Sequence, residues 1–159
     1  MKGGEMETRL KFILSAAILM IAFCVGSQAS ACTCGALTVT QQRENASAIF
    51  SGTVVKMTRS DAVEKNGVEI TFKVDRIWKG RDEETTLIYT GATGDLYPFK
   101  STCAPSFRVG QQYIVFAVGA DKPSTDTCTG TFDYHDAKNL KRELGRSARP
   151  KSKRKNALP

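Results

Sequence analysis

Val68-Glu69-Ile70-Thr71-Phe72-Lys73-Val74-Asp75 sets an apolar side chain at every even position and a polar one after it. That period of two is the signature of a strand with one face buried and one face in water. The alternation slips at Arg76-Ile77-Trp78, where two apolar residues follow each other, and Lys79-Gly80 ends the run. A β-bulge at the slip would turn the strand, which is how small sheets curve. Upstream, Ile49–Met57 is β-branched and aromatic, bounded by Asn45 and by Arg59-Ser60-Asp61, and reads as the preceding strand. The connection between the two, Thr58 to Gly67, is short.

Further strands follow downstream. Thr85–Thr90 is the third, Tyr113–Val118 is a continuous apolar run suited to a central strand, and Thr127–Phe132 is the fifth. Gly91–Phe107, with Gly91, Gly94, Pro98 and Pro105, is a long irregular connection. Two short helices complete the pattern. Thr38–Arg43 opens with Thr38 and Gln41 at capping-box spacing. Asp136–Gly145 has Asp136 as its cap, Leu140 and Leu144 one turn apart, and Gly145 as its stop. Such a series predicts an all-β domain with minor helix: a five-stranded, closed barrel like the oligonucleotide/oligosaccharide-binding (OB) fold. A β-sandwich fits the same pattern.

The amino-terminal 31 residues read as a separate segment. Lys2, Arg9 and Lys11 precede the apolar run Phe12–Gly26, which is short for a membrane span. Ala29-Ser30-Ala31 then forms a small-x-small cleavage site. Residues 1–31 are therefore expected to be a signal peptide, and the mature chain to start at Cys32 and be secreted, extracellular or periplasmic. Cys32 also stands where a lipobox cysteine would, although Ala29 replaces the larger aliphatic residue expected there.

Removing this segment leaves 128 of the 159 residues, enough for one domain. It also removes Cys24 and leaves Cys32, Cys34, Cys103 and Cys128. Four cysteines in an exported chain read as two disulfides with three arithmetical pairings. A Cys32–Cys34 bridge across one residue would be strained, which leaves two long-range alternatives.

The charge is uneven. Residues 1–31 hold three of the 23 basic and two of the 16 acidic residues. From Asp136 onward there are nine basic and two acidic residues, which leaves the domain at 32–135 nearly neutral. The region 136–159 thus reads as a basic helix followed, from Arg149, by a disordered tail. Arg149, Lys151, Lys153, Arg154 and Lys155 are its candidate contacts for a polyanionic surface. No specific nucleic-acid partner is expected.

An enzyme is not expected. The sole histidine, His135, lacks a second base with which to activate a nucleophile. The four mature cysteines lack the paired spacing of structural zinc sites, and no cofactor is implied. The distinctive group is instead the terminal one. Cleavage after Ala31 would give Cys32 the free α-amine, and a disulfide would hold that amine rigid when most termini fray. An amine and the carbonyl of its own residue suit two adjacent positions on a metal.

The start Cys32-Thr33-Cys34, the short helix and Asn45-Ala46-Ser47-Ala48-Ile49-Phe50-Ser51-Gly52-Thr53-Val54-Val55 resemble the amino-terminal, netrin-like domain of the tissue inhibitors of metalloproteinases. The resemblance continues through Phe72-Lys73-Val74, Ile77-Trp78-Lys79-Gly80, Leu87-Ile88-Tyr89-Thr90, Cys103, Gly110–Val115 and Cys128. It implies the barrel and the pairings Cys32–Cys103 and Cys34–Cys128. It also implies that Cys32 chelates the catalytic zinc of a target metalloprotease. Thr33 would enter that enzyme's primed-side pocket, Gly35 and Ala36 would follow along the cleft, and Ser101-Thr102 would cover the other side. The chain departs from the family in lacking a third disulfide within the domain and a cysteine-rich carboxy-terminal domain. The other function weighed is a netrin-like module that binds a protein or polyanion without inhibiting a protease.

Intact-mass measurement of the exported protein is expected to give a chain starting at Cys32, lighter by two disulfides' hydrogens than its reduced form. Retention of residues 1–31, an added acyl mass or free thiols would contradict this reading.

Overall fold

The computed structural model describes residues 32, 34, 35, 37–62, 65–93, 96 and 103–151. It is mostly β, with five antiparallel strands and two short helices. In chain order these are α1 (Val39–Asn45), β1 (Ala48–Ser60), β2 (Gly67–Lys79), β3 (Thr85–Thr90), β4 (Gln112–Ala117), β5 (Thr131–Asp133) and α2 (Lys138–Leu144). The strands form one sheet in the order β3-β2-β1-β4-β5. Its two edge strands, β3 and β5, do not pair, so the ladder is open among the described residues. Only one parallel bridge, Tyr89 to Ser124, reaches from β3 toward the segment that leads into β5.

The slip in the β2 pattern is a bulge. Opposite β1, Ser51 pairs with Arg76 and Gly52 with Val74, so Asp75 is the extra residue. The phase moves by one there, and Ile77 takes the inner side that Arg76 would otherwise occupy. A second extra residue, Trp78, sits between the partners of Ile49 and Phe50. On β1, Val55 is extra and half exposed, and the shift carries Met57 back to the inner side.

These shifts sort the apolar residues into two cores. The inner one holds Phe50, Val54, Val68, Ile70, Phe72, Val74, Ile88, Tyr113, Val115 and Ala117. Phe107, from the long connection, plugs it. Its ring meets Phe72 edge-on at 5.6 Å and Tyr113 at 4.9 Å, and Phe72 meets Phe50 at 5.4 Å. Each such pair contributes about 0.5–1.5 kcal/mol beyond its burial. Thr93 Oγ1 donates to Pro105 O and accepts from Phe107 N–H, so both of these backbone groups of the plug segment are satisfied.

The outer core lies under the helices. Ile49, Ile114 and Phe116 face Ala46, Ala137, Leu140 and Leu144, with Trp78 and Tyr134 at the side. The continuous apolar run of β4 follows from this arrangement. Its odd residues feed the inner core and its even residues the outer one. The strand expected at the centre is therefore doubly covered but not central; β1 holds that place.

Thr38 caps α1 as its spacing predicts: its Oγ1 accepts from Gln41 N–H at 3.3 Å, and Gln41 Oε1 accepts from Thr38 N–H at 2.9 Å. Three other expectations need correction. α2 is capped by Ala137 rather than Asp136, and no side chain supplies a cap bond. The fifth strand covers only Thr131–Asp133, because Asp126–Thr129 is folded into a turn by side-chain bonds. The tail does not loosen at Arg149. Ala148 exchanges two backbone hydrogen bonds with Ile77 (2.8 and 2.9 Å), and Lys151 N–H donates to Asp82 Oδ1 at 2.7 Å. Trp78 Nε1–H adds a bond to Gly145 O, 3.1 Å away, at the end of α2. No helix among the described residues is long and apolar enough to cross a membrane.

At Gly52 the backbone of β2 lies close against β1. A Cβ there would come 2.7 Å from Lys73 O, which is backbone and has no room to yield. Gly52→Ala is expected to cost about 1–3 kcal/mol, the range for overpacking, read as a lower urea midpoint with an unchanged slope.

Candidate functional site

None of the described residues between Cys32 and Thr38 is buried, so apolar packing does little to place this segment. Sulfur places it. Cys32 is bonded to Cys103 and Cys34 to Cys128, with Cα–Cα distances of 5.3 and 5.1 Å. These are the pairings that the family resemblance implies. The bridges lie side by side, with Cys32 Sγ 4.0 Å from Cys128 Sγ. Thr127 N–H donates to Cys103 O at 2.9 Å, so the two anchoring segments are also tied to each other. The sulfurs of Cys32, Cys34 and Cys128 cluster within 4.8 Å. Each is already in a disulfide, so none is a thiolate ligand for a metal.

Cys128 is held by a turn that the strand reading of Thr127–Phe132 missed. Asp126 Oδ1 accepts from Cys128 N–H at 2.8 Å and from Thr129 N–H at 2.7 Å. Thr129 Oγ1 accepts in return from Asp126 N–H at 2.9 Å. Behind it, the buried Thr125 hydroxyl donates to Phe116 O at 3.0 Å and lies 2.9 Å from the hydroxyls of Thr129 and Thr131. This network fastens the turn to β4. Its sequence signal was present: Asp126 at the head of a turn that Gly130 ends with a positive φ of 108°.

The segment thus forms a ridge anchored at two points. Cys32 is half-buried, while Cys34 and Gly35 are exposed. A Cβ on Gly35 would meet nothing within 4 Å, so packing does not require glycine there. Thr33, Ala36, Ser101 and Thr102 lie outside the described residues. Beside the ridge is a polar hollow of about 470 Å³, lined by Pro105, Arg108, Gln111, Tyr113, Thr127 and Asp133, among others. At its base the Tyr113 hydroxyl accepts from Arg108 N–H at 3.1 Å and lies 2.9 Å from Gln111 Oε1. Burial pushes its pKa above the usual phenol value, partly countered by the Arg108 bond.

The remaining candidates are dispersed. His135 is exposed; its N–H donates to Asp133 Oδ1 at 2.9 Å and its ring lies edge-on to Tyr134. Arg149 is exposed, and the Lys151 ammonium lies 3.6 Å from Asp82. Lys153, Arg154 and Lys155 lie outside the described residues.

Asp126→Ala is expected to lower stability by about 1–2 kcal/mol, since it strips charge-assisted bonds from two amides. It should also make the Cys34–Cys128 bridge reduce faster than Cys32–Cys103. Thermal melting and timed thiol labelling under mild reductant read the two effects.

The sequence matches no protein-family model and no curated protein, so the functional reading rests on the chain's own residues and the resemblance they carry.

Proposed function

We propose that the mature chain begins at Cys32, is exported, and inhibits zinc metalloproteases through its amino terminus. The observation that carries this reading is the double clamp. Both cysteines of Cys32-Thr33-Cys34 are bonded to anchors that are themselves joined by Thr127 N–H to Cys103 O. A terminus held in this way loses little conformational entropy when it enters a cleft.

The chemistry follows from the terminal residue. A catalytic zinc keeps one position open for water or substrate. The Cys32 α-amine would take that position and displace the water, and the carbonyl oxygen of the same rigid residue would bind beside it as a fifth ligand. A free α-amine has a pKa of about 8, so binding near neutrality must release a proton from part of the population. Inhibition on this basis strengthens as pH rises toward 8 and weakens as it falls. Thr33 would supply the side chain that the protease's primed-side pocket reads, and the exposed Cys34 and Gly35 would continue along the cleft. The resemblance to the amino-terminal domain of the metalloproteinase inhibitors supports the same assignment.

The finer fold belongs to this proposal as well. The Tyr89–Ser124 bridge would be the seam of a small, partly open OB-type barrel, with the clamp on the segments leading into it. The chain has no catalytic role of its own in this reading.

The test adds one alanine before Cys32. It turns the ligating amine into an amide with no lone pair for a metal, and it adds bulk at the point of approach. Inhibition of a panel of zinc metalloproteases is expected to vanish, while the disulfides and melting temperature stay unchanged. Thr33→Gly should weaken inhibition less, because the chelating groups survive. Equal inhibition by the extended and unextended proteins would overturn the proposal.

A further inference from the structure

A second cleft opens away from the ridge. It has a volume of about 480 Å³ and shares no residue with the ridge or the polar hollow. One wall is the first half of β3, Thr85 to Leu87. The other is the loop Gly119 to Pro123, and the floor is formed by Phe50, Val74 and the half-buried Ile77 at the margin of the inner core. The volume falls within the range of ligand pockets.

The β3 wall is an unpaired strand edge. In an antiparallel ladder alternate residues point their N–H and C=O to opposite sides. Tyr89 directs both outward, since its N–H donates to Pro123 O and its C=O accepts from Thr125 N–H, each at 2.9 Å. Glu84 O, by contrast, accepts from Val74 N–H of β2 at 2.8 Å. Odd residues of β3 therefore face the cleft and even ones face β2. The outward N–H and C=O of Thr85 and Leu87 have no backbone partner among the described residues. Leu87 is also 43 % exposed, a large apolar side chain next to a free edge.

From this arrangement we infer that the cleft is a binding site for an extended peptide from a partner protein, which adds a strand to β3 between Thr85 and Leu87. The guest continues the pairing that Pro123–Thr125 begins at Tyr89. Main-chain bonds to the Thr85 and Leu87 edge supply affinity, and alternate side chains supply selectivity. The inward side chain of the guest lies on Phe50, Val74 and Ile77 and is apolar; its neighbours on either side face water. A guest on this edge must enter between β3 and the facing Gly119–Pro123 wall, which suits an extended segment better than the sheet edge of a folded second copy.

The test uses the whole mature protein and fluorescent, end-blocked hexapeptides that alternate threonine with valine, isoleucine, leucine or phenylalanine. At least one is expected to bind by fluorescence anisotropy and to slow amide exchange at Thr85 and Leu87. N-methylation of the same peptide at alternate amides should weaken binding at least tenfold, because it blocks strand pairing and spares the side chains. Leu87→Pro removes one outward donor without touching the bonds to β2 and should have a similar effect. Ala120→Trp, which fills the cleft from the exposed loop, tests the site independently of β3 folding.

Several results would overturn the inference. One is that no peptide of the set binds. Another is that the N-methylated peptide binds equally well, which would make the cleft a simple apolar pocket. A concentration-dependent dimer that itself protects Thr85 and Leu87 would assign the edge to a second copy. Peptide binding that appears only after truncation beyond Lys151 would assign it to the chain's own distal segment. Inhibition through Cys32 is unaffected by any of these, so the two proposals fail separately.

Discussion

β1 hydrogen-bonds to β2 along one edge over Ile49–Ser60 and to β4 along the other over Ala48–Thr53. This double pairing is the constraint on which the remaining structure depends. The 13-residue strand carries three register irregularities against β2. Each shifts the side-chain phase by one residue and raises the local twist. The two cores exist because of those shifts. Without the bulge at Asp75, the unbroken alternation would point Arg76 into the inner core and Ile77 into the outer one. A buried guanidinium without a partner would cost several kcal/mol. With it, Ile77 packs inside, Trp78 packs outside, and Trp78 is free to hold the end of α2 through Gly145 O.

The ridge depends on this framework differently, through covalent ties rather than burial. The disulfides span 71 and 94 residues of sequence. Closing loops of that size removes chain entropy worth about 4–5 kcal/mol each in the unfolded state, although overlapping loops do not add in full. They also carry the rigidity of β4 to a segment with no buried residue among those described. The route runs from Phe116 O to Thr125, through the Asp126 turn to Cys128, and from there to Cys34. Thr127 N–H joins the second route at Cys103. The ridge is therefore as firm as the turn behind it.

The same open sheet leaves β3 exposed. The one bridge at Tyr89 satisfies two backbone groups, and among the described residues the outward N–H and C=O of Thr85 and Leu87 have no backbone partner. Free edges invite pairing with other chains. Here the edge sits in a cleft whose other wall is the Gly119–Pro123 loop. The ridge and the edge are separate consequences of one open sheet, tied at one place by sulfur and at another by a single bridge.

In the sequence by itself, the strict alternation over Val68–Asp75 was enough to place β2, and its break at Arg76-Ile77-Trp78 marked the bulge. The sequence also determined the α1 cap, because Thr38 and Gln41 act within one turn, and the burial of Leu140 and Leu144, because their spacing sets them on one face. These features are local, and local chemistry is legible in order along the chain. The tertiary structure alone decided that β1 rather than β4 is central, since an apolar run records burial on both faces and says nothing about its cause. It shortened the fifth strand, because the Asp126 carboxylate competes with the ladder for the amides of Cys128 and Thr129. It likewise extended order to Lys151, whose partner Asp82 lies 69 residues away. Contacts of that separation leave no trace in the pattern of the residues that make them, and only the folded chain brings them together.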